Sequence, residues 1–484
     1  MNAHPSTCRR AAAVAVVAAV VAAGVSPAAS AATSGDRDRP SFTLGSPDVV
    51  ATGLANPYAL EWGPRGELWM TEKSGLDVVA VNPSTGAKRI LATLDDATYR
   101  GQAGVLGLAL EPSLVTRGFG SAYVSYTYDS QEADRVTGET LRTRVVRYAY
   151  DRHARTLVHP ETVIEGLPGG TDHQAAKLQL GPDGKLYVSL GDQGANQFAA
   201  YLNPNWAQRL PTAAEVAAGD WYEVYQGKTL RLETDGSVPA DNPVLDGVRS
   251  HVYTYGHRNP QGLEFTAKGA LLSSEHGPKT DDEVNVLAAG ANYGWPRVAG
   301  YQDDAAYAYR PWAEADPAEL GDTPFSDYDV PEAVPAYPES GFAEPFTEPA
   351  LTFGTVEEGH DFLDPACGAL SYICWPTVAP SSVESYDPIR GHGVPGWERS
   401  VLVPTLKDGS IYRLQLNRAQ DEVVASERVW RGQDRYRDVA VSPDGRTVYA
   451  VTDSSGLVRD ADGVPTSELT QPGSLVALDV VPAR

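Results

Sequence analysis

Short runs of alternating apolar and polar residues dominate the chain, and turn residues separate these runs. Examples are "SAYVSYTYD", "KLYVSLGD", "TVYAVTD" and "SLVALDVV". Alternation with a period of two places one face of a strand in a core, and long helical periodicity is scarce. The 46 glycines and 36 prolines supply turns between these runs. The pattern therefore predicts an all-β fold.

One hairpin pattern recurs along the chain. It joins two alternating strands through a glycine-bearing turn in "LEWGPRGELWMTE" (60–72), "LQLGPDGKLYVSLGD" (178–192), "LEFTAKGALLSSEHG" (263–277) and "VAVSPDGRTVYAVTD" (439–453), with a looser copy in "VLVPTLKDGSIYRLQL" (401–416). Such a hairpin cannot bury its own apolar face, so several must pack together. Radial packing predicts a six-bladed β-propeller of four-stranded antiparallel blades. A large β-sandwich is the alternative.

The N-terminal residues have a different composition. Arg9 and Arg10 precede an Ala/Val run that extends to about residue 25, and Ala29-Ser30-Ala31 is a small-residue cleavage pattern. This predicts a secretory signal peptide over 1–31, a flexible segment over 32–45 and the propeller domain over 46–484. No later stretch approaches the roughly 18 apolar residues of a membrane span. We expect a soluble periplasmic or extracellular protein, exported by either the Sec or the Tat route.

Charge and cysteine content narrow the class of protein further. The formal charge of -24 argues against a nucleic-acid partner. Cys8 leaves with the signal peptide, and an oxidising compartment favours a disulfide between the remaining Cys367 and Cys374. The stretch 302–350 is acidic, proline-rich and aromatic, which predicts a long surface excursion near the functional site.

Strand pairing across the hairpins brings polar residues together at the ends far from the glycine turns. The turn centred on Asp183 places Asp192 opposite Gln174 and Gln193 opposite His173. The same count sets Asn259 opposite Gly277, Arg258 opposite Pro278 and Arg435 opposite Asp453. If the hairpins are equivalent, one mouth of the propeller collects His173, Asp192, Arg258, Asn259, Arg435 and Arg437, with Lys407 as a further candidate.

Such a cationic mouth in an acidic protein favours a small polyanionic ligand. Taken singly, each arginine is also compatible with a surface salt bridge. His173 beside a carboxylate is compatible with two roles. It is either a histidine held by a buried hydrogen bond or a general base that the carboxylate orients.

Several longer strings carry a family resemblance. They are "TDHQ", "GDQGANQ", "YTYGHRNPQGLEF", "SSEHGPKTDDEVN", "GANYGWPRVAGYQDD", "YICWPTVAPSS" and "RYRDVAVSPDG". From about residue 50 to the C-terminus the chain resembles the soluble quinoprotein glucose dehydrogenases of the glucose/sorbosone dehydrogenase family. The resemblance implies a six-bladed propeller that binds pyrroloquinoline quinone (PQQ) and Ca²⁺ in its mouth. It also implies oxidation of the C1 hydroxyl of an aldose to a lactone.

The resemblance implies roles for individual residues. His173 is the expected general base, Asp192 its orienting partner, and Arg258 the group that stabilises charge at the reactive quinone carbonyl. The expected cofactor contacts are Arg258, Asn259, Thr377, Lys407, Arg435 and Arg437. The expected sugar contacts are Gln102, Asp172, Gln197, Phe198, Tyr372 and Trp375. Phe198 stands where an aliphatic residue is expected, so the sugar preference can differ from that of the family.

Two kinds of calcium site follow from the same resemblance. The backbone carbonyls of Gly277 and Pro278 are the expected ligands of a catalytic Ca²⁺, which suits a hard cation. Structural Ca²⁺ ions are expected at Asp282, Glu283, Tyr293, Ala299, Tyr301, Asp303 and Glu339, where they would bridge the loops of a homodimer. Without the resemblance, these acids would be interpreted as a solvated acidic loop.

The expected function is therefore a secreted sugar dehydrogenase that passes electrons to an external acceptor. One alternative is a secreted Ca²⁺-dependent propeller lactonase or esterase, which would need a carboxylate-ligated Ca²⁺ at the propeller axis. The other is a non-catalytic sugar-binding propeller, which would predict loss of His173 or of the arginines. The arginine-rich mouth and the retained His173 favour the dehydrogenase.

Overall fold

The alternating runs of the sequence form the strands of consecutive antiparallel sheets. The structure is a computed structural model that describes residues 41–134, 137–219, 222–363, 365–389 and 391–483. Within these residues, six sheets of at least four strands follow one another along the chain. This arrangement confirms the predicted six-bladed β-propeller. The predicted signal peptide, residues 1–31, lies outside the described residues.

The blades are numbered here in chain order, each from its innermost strand outward. Blade 1 consists of Pro57–Trp62, Leu68–Glu72, Asp77–Val81 and Lys88–Thr93. Blade 2 consists of Val105–Leu110, Ser121–Asp129, Leu141–Asp151 and Thr156–Pro168. Blade 3 consists of Ala175–Leu180, Leu186–Leu190, Lys228–Leu232 and Val252–Tyr255.

The second half of the ring follows the same plan. Blade 4 consists of Pro260–Phe265, Leu271–Glu275, Asp282–Leu287 and Leu351–Phe353. Blade 5 consists of Glu384–Tyr386, Ser400–Pro404, Ser410–Leu416 and Val423–Arg431. Blade 6 consists of Tyr436–Val441, Thr447–Thr452 and Leu475–Pro482, with Phe42–Leu44 and Asp48–Ala51.

The N-terminal strands close the ring. Phe42–Leu44 and Asp48–Ala51 both pair with the C-terminal strand Leu475–Pro482, so blade 6 contains both ends of the domain. The sequence predicted a flexible segment over residues 32–45. That boundary is too late, because Phe42–Leu44 forms sheet hydrogen bonds and Leu44 is buried against blade 6.

Helices are few and short in the described residues. The α-helices are Pro112–Arg117, Ala213–Ala218, Pro317–Leu320 and Ser371–Cys374. The 3₁₀ turns are Pro64–Gly66, Phe198–Ala200, Glu223–Tyr225, Trp312–Glu314, Glu339–Gly341 and Pro365–Leu370. Three small ribbons pair Val244–Leu245 with Val248–Arg249, Ala308–Tyr309 with Tyr337–Pro338, and Val458–Arg459 with Pro465–Thr466. None of the helices that the structure describes has the length and apolarity required to cross a bilayer.

The hydrophobic core is divided among the blade interfaces. One cluster packs Trp69 of blade 1 against Val124 of blade 2, and equivalent clusters fill each of the other five interfaces, including that between blades 6 and 1. Because every blade buries both of its faces on neighbours, the ring must close for the core to be complete. The polar ends of the strands are left at the two mouths.

A β-bulge bends the innermost strand in five of the blades. The register shifts lie between Pro57 and Leu60, Val105 and Leu108, Ala175 and Leu178, Pro260 and Gly262, and Tyr436 and Asp438. All five lie at the N-terminal end of the strand, away from the glycine turn. Bulges re-aim side chains and increase local twist, so they determine the direction of the residues at this mouth.

Candidate active site

His173 and Asp192 are in direct contact at the mouth of blade 3. The Nδ1 atom of His173 lies 2.6 Å from Oδ1 of Asp192, and both side chains are buried. The predicted pairing across this hairpin holds from Leu178 to Leu180, and the bulge then shifts it by one residue at Ala175. His173 itself has φ of 41°. The contact predicted from the sequence is therefore present, although the bulge alters the pairing that leads to it.

Asp192 receives four hydrogen bonds. Besides His173, Gly194 N donates to Oδ1 at 3.0 Å, and Asn205 Nδ2 and Trp295 Nε1 donate to Oδ2 at 2.9 and 2.8 Å. These donors compensate the burial of the carboxylate and fix its orientation. Because Nδ1 of His173 donates to this carboxylate, Nε2 is the ring nitrogen left to accept a proton. Asn205 and Trp295 were not identified from the sequence.

Gln197 connects the histidine to the predicted arginine. Its amide nitrogen lies 3.1 Å from His173 Nε2 and 2.8 Å from Asp172 Oδ2, while Arg258 donates to its oxygen at 2.8 Å. The guanidinium therefore fixes which end of the amide faces the histidine. The carbonyl oxygen of His276 accepts a second bond from Arg258, and Nε of Arg258 is buried without a partner among the described residues.

Asp172 joins the same network through Gln102. The Gln102 amide donates to Oδ1 of Asp172 at 2.6 Å. Burial opposes ionisation of this carboxyl group. The nearby His173, the Gln197 hydrogen bond and Arg258 outweigh burial and lower the pKa of Asp172 below its usual value. Four of the predicted site residues, Gln102, Asp172, His173 and Gln197, thus form one hydrogen-bonded chain.

A cavity of about 270 Å³ lies beside this chain at the propeller mouth. Gln102, Arg435 and Arg437 line it, as predicted residues. Asp453 is held by both arginines, through Arg435 Nε at 3.0 Å and Arg437 Nε and Nη2 at 2.9 Å each. Burial alone would raise the pKa of Asp453. The two arginines outweigh burial and hold this pKa well below its usual range. The cavity is also lined by Tyr58, Lys73, Gln261 and His276, which were not predicted from the sequence.

His276 lies between the cations of the mouth. Asn259 Nδ2 lies 3.4 Å from its Nδ1, and its Nε2 is buried without a partner among the described residues. Burial lowers the pKa of His276 far below its usual value, and Arg258, His173, Arg437 and Lys407 act in the same direction. Those four groups therefore converge here, as predicted. An anionic ligand fits this donor set, because it would neutralise cations and accept bonds from the orphaned nitrogens.

Lys407 and Thr377 lie together on the blade 5 side of the mouth. The Lys407 ammonium bonds to the Thr377 hydroxyl and to the carbonyl oxygen of Tyr372. Burial lowers the pKa of Lys407 to about 7, although Asp282 acts in the opposite direction. Arg459 supports the same loop by donating to the carbonyls of Ile373, Trp375 and Thr377. Arg459 was not identified from the sequence.

Gly277 and Pro278 form the predicted catalytic calcium turn. Neither backbone carbonyl accepts a hydrogen bond from a described residue. A Cβ on Gly277 would collide with the carbonyl oxygens of Thr280 and Asp281, so only glycine fits. The turn is anchored by Asp282, whose oxygens accept from Gly277 N, Val378 N and Ala379 N. Free carbonyls on a fixed turn are suitable ligands for a hard cation.

The predicted structural calcium residues do not assemble into a carboxylate cage. Within the described residues, no group of three or more acidic, histidine or cysteine side chains is placed to hold a metal. Backbone N–H groups donate hydrogen bonds to the carboxylates of Asp282, Glu283, Asp303 and Glu339. Tyr293 and Ala299 are buried, and Tyr301 is exposed. Burial and nearby Asp303 raise the pKa of Glu339 to about 7.

The acidic excursion covers a second cavity beside the histidine. This cavity of about 480 Å³ is lined by Gln197, Arg258 and Pro278, and by eleven residues of the excursion between Asp304 and Val330. Trp312, Ala315, Leu320 and Val334 give the excursion a small core of its own. It touches two predicted sugar contacts. Phe325 packs edge-on against Phe198 with centroids 5.8 Å apart, and Tyr328 accepts a bond from Trp375 at 2.9 Å.

The predicted disulfide is present. Cys367 and Cys374 are bonded, with their Cα atoms 6.3 Å apart, and lie in the short helical turns of 365–374. This bond closes the loop that carries Tyr372 and leads to Trp375. Tyr372 is 42 % exposed, which leaves its ring accessible.

Together, the fold and site define a β-propeller whose mouth combines an oriented histidine with a cationic pocket. The glucose/sorbosone dehydrogenase family matches residues 54–322 and 358–459 of the chain. The chain therefore belongs to this family, and the family prediction made from the sequence is confirmed.

Named relatives agree with this assignment. Quinoprotein glucose dehydrogenase B of Acinetobacter calcoaceticus is 42% identical over 437 residues, covering 88% of this chain and 89% of the relative. A solved Thermus thermophilus oxidoreductase, described as a glucose dehydrogenase, is 26% identical, with a TM-score of 0.59 over 90% of this chain and 100% of that chain. PQQ-bound aldose sugar dehydrogenase of Streptomyces coelicolor shares the fold, with a TM-score of 0.61, 24% identity and coverage of 91% and 99%.

Proposed function

We propose that this protein is a secreted quinoprotein that oxidises the C1 hydroxyl of aldose sugars to lactones, with PQQ and Ca²⁺ bound at the mouth. The proposal is supported by family membership and by similarity to a quinoprotein glucose dehydrogenase. The structural observation that carries it is the His173–Asp192 contact, which leaves Nε2 of His173 as the proton-accepting nitrogen, facing the amide of Gln197. The predicted signal over 1–31 supports export, and an external acceptor would take the electrons.

Each residue of the site would have a separate role in this reaction. His173 Nε2 accepts the proton of the C1 hydroxyl, and Asp192 stabilises the resulting imidazolium. Asp172, Gln102 and Gln197 bind and orient the sugar hydroxyls. PQQ, when bound, would supply an electrophilic quinone carbonyl as the acceptor for the hydride of sugar carbon 1. Arg258 stabilises negative charge near His173.

The remaining mouth residues would hold the cofactor and the metal. Arg435, Arg437 and Lys407 provide positive charge for the PQQ carboxylates, and Asn259 and Thr377 provide hydrogen bonds. The free carbonyls of Gly277 and Pro278 would bind Ca²⁺. Structural Ca²⁺ near Glu283 and a homodimer remain part of the proposal through the family resemblance. The mouth lined by Arg435 and Arg437 favours the dehydrogenase over the lactonase, whose Ca²⁺ would need side-chain carboxylates at the propeller axis.

Reconstitution tests this proposal directly. Purified apo-protein is incubated with PQQ and Ca²⁺, and dye reduction is followed across a panel of aldoses. We expect sugar-dependent reduction that disappears without PQQ or after treatment with EDTA. Chromatographic detection of the lactone would establish C1 as the site of oxidation. Failure to bind PQQ, observed by absorbance, would reject the proposal.

A further inference from the structure

Lys73 was not predicted from any sequence motif, but it lines the 270 Å³ cavity at the propeller mouth, called here the axial cavity. It follows directly on the second strand of blade 1, Leu68–Glu72, and lines the cavity of about 270 Å³ with Arg435 and Arg437. Its backbone is fixed on both sides. Lys73 N donates to Asn56 O at 3.0 Å, and Val105 N donates to Lys73 O at 3.3 Å. A Cβ at Gly104 would lie 2.5 Å from Cγ of Lys73, so glycine is needed for the lysine stem to pass.

The Lys73 ammonium has no partner in the part of the chain that the structure describes. The buried lysines Lys177, Lys228 and Lys407 all donate hydrogen bonds to carboxylate, hydroxyl or carbonyl oxygens. No hydrogen bond or ion pair joins the side chain of Lys73 to a described residue. The carboxylate that lines the cavity with it, Asp453, is already bound by three guanidinium nitrogens. A half-buried cation left unpaired in a pocket is ready to bind an anion.

Because of its surroundings, the protonation state of Lys73 should depend on whether such an anion is bound. Burial is the main cause that lowers the pKa of Lys73 to about 8. Arg437 and Arg435 act in the same direction, and Asp453 acts in the opposite direction. The other titratable groups that line the cavity are Tyr58, Tyr99 and His276. A negative group bound beside the ammonium would favour its protonated form.

We infer that Lys73 is a further anion-binding residue of the cofactor site, contributed by blade 1, and that it binds a carboxylate of PQQ. This inference rests on the proposed function and deepens it. Lys73 takes up a proton when PQQ binds at alkaline pH, so its contribution to affinity is complete below about pH 8 and declines as the pH rises above that value.

The test is calorimetric titration of Ca²⁺-loaded apo-protein with PQQ at pH 7 and 8.5, in two buffers of different ionisation enthalpy. Lys73→Met should weaken PQQ binding about 10- to 100-fold at pH 7, as expected for loss of a charge-assisted hydrogen bond. Lys73→Arg should retain most of the affinity. At pH 8.5 both variants should take up about 0.7 fewer protons per PQQ than the wild type. Comparison with the wild type removes the contribution of other groups such as Lys407.

The control variant is Lys185→Met, which removes a lysine paired with Glu233 on the turn of blade 3. It should match the wild type in affinity and proton uptake. Wild-type affinity in Lys73→Met would overturn the inference and leave the proposed function intact. If Lys73→Met does not fold, unchanged proton uptake in Lys73→Arg would overturn it equally. Absence of PQQ binding by the wild type would overturn the proposed function and the inference together.

Discussion

Oδ1 of Asp192 lies 2.6 Å from Nδ1 of His173, and Asn205 and Trp295 hold the other oxygen of this carboxylate in place. The ring is thereby fixed with Nδ1 as the donor. Its Nε2 faces the amide of Gln197, which shares its other bond with Asp172. A single carboxylate thus determines the tautomer of the predicted base and its direction toward the sugar-binding side chains.

Asp192→Asn should lower kcat by about 10²- to 10⁴-fold, because an asparagine can hold the ring in the wrong tautomer without changing its position. PQQ affinity should change little. Steady-state kinetics and a PQQ titration on the same preparation separate the two effects. Asn205→Ala is the matched control, since it removes one bond to Asp192 and leaves the histidine contact. Equal losses in both variants would show that general packing, and not the tautomer, is responsible.

His173→Ala should also reduce turnover by about 10²- to 10⁴-fold, the usual effect of removing a general base. The cofactor should still bind, because the cations of the axial cavity are untouched. Stopped-flow reduction of the PQQ-loaded variant by glucose measures the chemical step alone. Full activity in this variant would exclude His173 from the mechanism.

Arg435→Ala should weaken PQQ retention about tenfold or more, with little effect on kcat at saturating PQQ. Arg435 lines the axial cavity and is held by Asp453 and the carbonyl oxygen of Leu457, so its loss removes a pre-oriented cation. Equilibrium dialysis against PQQ provides the measurement. Arg446→Ala, at the exposed turn end of the same hairpin, is the control. Equal PQQ affinity in the two variants would contradict the assignment.

The sequence predicts the blades well because their signals are local. Alternation and the glycine turns locate the hairpins, and the pairing from Leu178 to Leu180 agrees with the count from the turn. The bulge beyond it has no comparable signal. Ala175 and Ala176 have φ of 50° and 67°, values for which glycine would be expected. Tertiary packing therefore imposes the backbone that aims His173.

The missed site residues had only weak local signals. Lys73 and His276 directly follow the second strands of blades 1 and 4, where the counting that found His173 could have found them too. Asp453 was predicted as the partner of Arg435, but its bonds to Arg437 depend on side-chain geometry. The contacts of the acidic excursion with Phe198 and Trp375 join segments far apart in sequence, so no local pattern predicts them.

Phe198 should influence sugar preference more than chemistry. Its ring is 55% exposed and packs edge-on against Phe325 of the excursion. Phe198→Ala removes this contact between the predicted sugar pocket and the excursion, so the ratio of kcat/KM values for a monosaccharide and a bulkier disaccharide should change by about tenfold. The change should appear mainly in KM, with PQQ affinity preserved. Phe119→Ala, a similarly exposed ring on blade 2, is the control. Unchanged ratios would place the sugar elsewhere.

A cluster of acids around Lys177 on the innermost strands should make stability depend on pH. Lys177 pairs with Asp438, and the carboxyls of Glu61, Glu264 and Glu384 lie within their electrostatic influence. Burial raises the pKa of Glu61 to about 7. Burial, together with Glu61, raises the pKa of Glu264 to about 8. In the unfolded chain both would titrate at their ordinary values.

Glu264→Gln should therefore flatten the pH dependence of stability. Since the folded-state pKa is raised, the protonated carboxyl contributes stability that is complete below about pH 4 and is lost as the pH rises to about 8. Glutamine stays neutral, so the variant should lose roughly 2–4 kcal/mol less between pH 5 and 8.5 than the wild type. Urea unfolding at several pH values measures this difference, with the exposed Glu422→Gln as control. A parallel pH profile for Glu264→Gln and the wild type would show that Glu264 remains ionised in the folded protein, with the Lys177 charge sufficient to hold it.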